Sequence, residues 1–152
     1  MKNEDLTHED LRKRAVKWLT GQHCGVVLSE MVSAAWETPD AIGWRAGYSM
    51  LVECKVSRAD FFRNRDKHTL QRGGMGRERY FLVPPKLVRA EDMTIDFQGY
   101  GLLWAEPDRI LLKVPAVPRD TDKDREIAML TSALRRVKTR EFLTIVREDR
   151  DA

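Results

Sequence analysis

The sequence predicts one α/β domain in which a helix, three strands, a helix and a further strand follow one another. Three observations carry this. Leu11, Ala15, Trp18 and Leu19 recur at helical spacing, which marks a first amphipathic helix. Residues 49–56 alternate, with Met50, Val52, Cys54 and Val56 on one side and Leu51, Glu53 and Lys55 on the other, as a half-buried strand requires. The run 80–83 is apolar and stopped by Pro84-Pro85, which cannot continue a ladder.

The elements follow in order. Thr7 can cap the first helix with Asp10 three residues on, Leu6 can staple onto Leu11, and Gly21 supplies the stop. Residues 26–28 read as a first strand ending near Glu30, and 41–44 as a second, with turn chemistry at 45–48. After the third strand, Ser57 caps a helix expected to run to about residue 65, with Asp60 in the capping-box position and Phe61 and Phe62 feeding the core. A second short helix is expected at 67–72, and the loop 72–77 is rich in glycine and arginine. Residues 100–105 and 110–114 read as a hairpin around Pro107-Asp108. A polar linker then leads to a last helix, whose Ile127, Leu130, Leu134 and Val137 are expected to pack on the sheet. We expect residues 1–118 to form the core and 119–152 a C-terminal helix of the same domain.

Composition narrows the functional classes. With 152 residues, 42% hydrophobic and 34% charged, the chain can bury a core without staples. Cys24 and Cys54 make neither a disulfide framework nor a zinc spacing. No run approaches a membrane span and the first residues are charged, so a cytoplasmic setting away from membranes is expected. The net charge of +3 hides an asymmetry: residues 55–89 carry +7 and the remainder −4. Concentrated positive charge is the footprint of a polyanion such as nucleic acid. His8, His23 and His68 are spaced as no metal-binding cluster would be, so histidine ligation is not expected.

Pro39-Asp40, followed after a short strand pair by Glu53-Cys54-Lys55, brings two carboxylates and a lysine to adjacent strand ends. Carboxylates so placed suit a hard divalent cation, and the lysine suits a water or a phosphate oxygen. These motifs, in this element order, resemble the signature of the PD-(D/E)XK nuclease superfamily. Within it, Val52 to Phe61 and the Tyr80 to Pro85 strand resemble MmcB-like DNA repair proteins and related phage-encoded nuclease-like proteins. From Arg89 onward nothing specific is recognised.

The resemblance implies a restriction endonuclease-like αβββαβ core, with a central mixed sheet flanked by helices. It implies a metal-dependent nuclease acting on DNA, with RNA not excluded, in repair or phage DNA processing. Asp40 and Glu53 would coordinate Mg²⁺ or Mn²⁺, with the Cys54 carbonyl as a third protein ligand, and Lys55 would orient a water or stabilise charge. An additional acid falls to Glu30, with Glu37 its competitor. Ser57 and Arg58 are candidate substrate contacts, and Arg63, Arg65, Lys67, Arg72 and Arg77 extend the basic surface. Trp36, Trp44 and Trp104 serve either base stacking or the core. Two other classes stay open: a non-catalytic nucleic-acid-binding module of this fold, and an accessory whose basic face meets an acidic partner. A homodimer or a partner protein is compatible with either.

Overall fold

A computed structural model describes residues 6–30, 37–63 and 74–137. Its elements are α1 (His8–Gly21), β1 (Val26–Ser29), β2 (Ala41–Arg45), β3 (Tyr48–Cys54), α2 (Arg58–Arg63), β4 (Glu78–Val83), β5 (Gly101–Ala105), β6 (Ile110–Val114) and α3 (Lys123–Arg135). Single 3-10 turns at Ala90–Asp92 and Ile95–Phe97, not anticipated from the sequence, join β4 to β5. The helix expected at 67–72 lies outside the described residues.

The strands form one six-stranded mixed sheet in the order β1-β2-β3-β4-β5-β6. The β1–β2, β2–β3 and β5–β6 pairs are antiparallel, whereas β3–β4 and β4–β5 are parallel. This topology gathers one edge. The ends of β1, β3, β4 and β5 and the start of β2 all meet there.

Register sorts the side chains by face. Met50, Val52 and Cys54 of β3, with Tyr80 and Leu82 of β4 and Leu103 and Ala105 of β5, pack against Leu11, Ala15 and Leu19 of α1. Gly43 of β2 permits that close approach, since a Cβ there would meet the Cys24 side chain at 2.9 Å. The opposite face carries two further clusters. Phe81, Val83 and Leu102 pack with Phe61 of α2 and with Phe97 and Tyr100. Ile42, Trp44 and Leu51 pack with Met75 and with Met129 of α3.

Capping follows the sequence closely. Thr7 Oγ1 accepts from the Asp10 amide and Asp10 Oδ2 accepts from the Thr7 amide, closing the box that starts α1. Ser57 Oγ accepts from the Asp60 amide at the start of α2. Such caps contribute about 1 kcal/mol each.

The C-terminal helix departs from its apolar pattern. Ile127 and Leu134 are exposed, as is Val137 just past the helix, although all three were expected to face the sheet. Met129 and Glu126 are buried instead, and Leu130 packs beside them. The cause is polar. Glu126 accepts from Trp44 Nε1, Ser49 Oγ, the Gly76 amide and Thr121 Oγ1. Two donors on the sheet, one just before β4 and one just before α3 outweigh the burial of one more aliphatic side chain, because each would cost about 1–3 kcal/mol if left unpaired.

Candidate active site

Asp40 ends the segment entering β2 and Glu53 sits one residue before the end of β3, so the β2–β3 pairing places both at the gathered edge. Asp40 is the charged neighbour that acts most strongly on the Glu53 carboxyl. Asp40 Oδ2 also accepts from the Cys54 amide at 2.7 Å, which fixes Asp40 to the end of β3. The Lys55 amide extends the ladder by donating to the Leu82 carbonyl at 3.0 Å. Lys55 therefore keeps the face of Glu53 although β3 ends at Cys54, and its Nζ lies 3.8 Å from Asp60 Oδ2 of α2. Asp40, Glu53 and Lys55 are brought together at this edge.

Glu53 is strained electrostatically. Burial and then the neighbouring Asp40 charge push its carboxyl up to about 8, against the pull of Arg79 and Lys55. Arg79 is its diagonal neighbour, because Leu51 pairs with Arg79 and Glu53 with Phe81. A carboxylate pair so crowded, with a lysine at hand, fits a divalent cation by the chemistry of its donors. The Cys54 side chain points to the α1 face and is buried, and burial followed by the Asp40 and Glu53 charges pushes its thiol up. Only the backbone of Cys54 is available to the site, and its amide is committed to Asp40.

A second group shares Asp40. His8 opens α1 at the same edge, with Nε2 3.1 Å from Asp40 Oδ1 and Nδ1 3.6 Å from Glu30 Oε1. Donor atoms of His8, Glu30 and Asp40 lie within 4.8 Å of one another. Arg12, one turn along α1, lies 3.8 Å from Glu30 Oε2. The histidine set aside on sequence spacing is thus the neighbour of the central aspartate, and no linear motif joins residues 8 and 40. Imidazole with two carboxylates is a softer donor set than carboxylates alone and suits Mn²⁺.

Other expectations divide. Glu30 belongs to the edge cluster, whereas Glu37 is half-buried in an ion pair with Arg79 at 2.7 Å and accepts from the Met75 amide. Arg58 pairs with Asp92 at 3.0 Å, donates to the Leu87 carbonyl and lies over Phe62, so it braces the β4–β5 connection. Arg63 is exposed near Asp60. Arg77 precedes β4 at the far end of the sheet, with its guanidinium over Tyr48. Five residues from Leu82 at about 3.3 Å each put it roughly 16 Å from the carboxylates along the strand. Arg77 is therefore no part of this site. Trp44 is core, and Trp104 donates to the Val88 carbonyl under Lys113. Trp36, Arg65, Lys67 and Arg72 fall outside the described residues.

Comparison with solved structures finds the SPO1766 protein of unknown function from Silicibacter pomeroyi, at a TM-score of 0.63 and 23% identity. The alignment covers 90% of this chain and 93% of that one. The likeness shows a shared fold. No family model and no curated protein matches the sequence. No helix among the described residues is long and apolar enough to cross a membrane.

Proposed function

We propose that this chain is a metal-dependent nuclease of the PD-(D/E)XK type, acting on DNA. The observation that supports the reading best is the crowded carboxyl pair Asp40 and Glu53 at the gathered sheet edge, with Lys55 on the same face. The element order from α1 to β4, one helix, three strands, a helix and a strand, is compatible with an αβββαβ core of that type.

Each residue has a task in this reading. Asp40, held by the Cys54 amide, and Glu53 would hold Mg²⁺ or Mn²⁺, with His8 and Glu30 beside Asp40 as further donors. Such an ion, when bound, offsets charge on the phosphate and makes a coordinated water more acidic. Lys55, kept in place by Asp60, presents its ammonium to the attacking water or a phosphate oxygen. Arg79 acts from beneath by offsetting part of the carboxylate charge.

The test is incubation of purified protein with supercoiled plasmid and single-stranded DNA in Mg²⁺, Mn²⁺ or EDTA, beside Asp40→Ala and Lys55→Ala. Cleavage that needs metal and is lost in both variants is the expected result. DNA binding without cleavage under all conditions would overturn the enzyme reading in favour of a binding module.

A further inference from the structure

The first turn of α1 has two sides. His8 leans over the carboxylate edge, while Leu6 and Asp10 turn toward the ends of β4 and β5. Residues two apart on a helix lie about 200° apart around its axis. On that second side, Leu6, Pro85, Ala105 and Pro107 wall a cavity of about 440 Å³. This is within the range of small-molecule sites, about 300–1,000 Å³.

The polar groups of the cavity are few and placed. Asp10 reaches it with a carboxylate oriented by the capping box, its Oδ2 accepting from the Thr7 amide at 3.0 Å. An ionised carboxylate accepts hydrogen bonds and donates none. Lys13 and Arg14 stand on the next turn, and Arg14 is anchored on the Arg109 carbonyl at 3.0 Å. Aliphatic walls, one fixed acceptor and two cations match one ligand class. The walls suit the apolar faces of a base, the acceptor suits an exocyclic amino group, and the cations suit a phosphate.

We infer that this cavity is a nucleotide-binding subsite that takes one unstacked, amino-bearing base of the nucleic-acid strand. The inference rests on the nuclease reading for the identity of the strand. The helix that separates cavity from carboxylates is about 10 Å across, which a short run of unstacked nucleotides spans. A strand crossing the N-terminal turn of α1 can therefore place a phosphate at Asp40 and Glu53 and a base beside Pro85. A base inside a continuous duplex cannot enter, so single-stranded or unpaired segments become the preferred substrate.

The experiment is amide chemical-shift mapping of the full chain in EDTA, titrated separately with dCMP, dTMP and inorganic phosphate. We expect dCMP to move the amides of Leu6, Asp10, Arg14 and Ala105. The affinity for dTMP, which offers an acceptor where dCMP offers an amino group, should be roughly threefold to tenfold weaker. Lys13→Ala, at an exposed position, should weaken both nucleotides. Asp10→Asn should erase the preference, with Thr7→Ala as a control that loosens the cap but leaves the cavity. Equal shifts from inorganic phosphate would overturn the inference in favour of a plain anion site, and so would shifts confined to His8 and Asp40, or none at all. Because EDTA removes catalysis, the two readings fail separately. Cavity binding without DNA cleavage in Mg²⁺ or Mn²⁺ sinks the nuclease alone, and cleavage without cavity binding sinks the subsite alone.

Discussion

Glu53→Gln removes the charge that the folded chain tolerates least. The carboxyl sits at about 8 in the fold against an ordinary 4.5, so between those pH values the native state holds its proton more tightly than the unfolded chain does. Stability must then fall as pH rises through that window, and the loss is complete above about pH 8. The full shift of 3.5 pH units, from 4.5 to about 8, sets a ceiling of about 5 kcal/mol. Glu53 keeps some contact with water and Asp40 can take part of the proton, so about 2 kcal/mol is the expected share. For a chain of this size that is roughly 4–8 °C in melting temperature. Thermal melts in EDTA at pH 5 and 8.5 compare the two proteins. Wild type should lose this much relative to Glu53→Gln on going to pH 8.5, and groups common to both cancel in the difference. Mg²⁺ should restore wild type at pH 8.5 more than it moves the variant, which keeps His8, Glu30 and Asp40. Parallel pH dependences in EDTA would refute the reasoning, because the carboxylate pair would then carry no native-state penalty.

Other outcomes follow from the same geometry. Glu126→Ala should cost about 3–5 kcal/mol in chemical denaturation by orphaning its four donors, whereas Ile127→Ala should stay within about 0.5 kcal/mol. Gly43→Ala should destabilise by about 1–3 kcal/mol, read from the same melts, because its Cβ meets Cys24 between α1 and β2. His8→Ala should weaken Mn²⁺ binding roughly tenfold by calorimetry and Mg²⁺ much less, since imidazole favours the softer ion.

Much of the frame was legible because its causes are local. The Thr7–Asp10 box, the alternation of β3, the Pro84-Pro85 stop and the β5–β6 hairpin each depend on residues within a few positions. Asp40, Glu53 and Lys55 were legible for a related reason: one strand pairing converts their spacing into proximity. The misplacements came where partners are distant in sequence. The periodicity of α3 names an apolar stripe, yet Glu126 turns the helix toward donors on β2, on β3 and before β4. Arg77 belongs to the basic segment by sequence but to the far end of the sheet in space. Glu37 is an acid near Asp40 in sequence that is tied to Arg79 in space.

The sequence by itself determined the α/β class, the strand order along the chain and the three residues on which we rest the chemistry, because hydrophobic period and capping act over one or two turns. Only the tertiary structure decided that His8 joins Asp40 and Glu30, that Glu53 is crowded into holding its proton, and that a cavity opens behind the first turn of α1. Those three facts depend on which edge of the sheet a helix end reaches. The packing of α1 across β1 to β4 sets this, and no spacing along the chain encodes it.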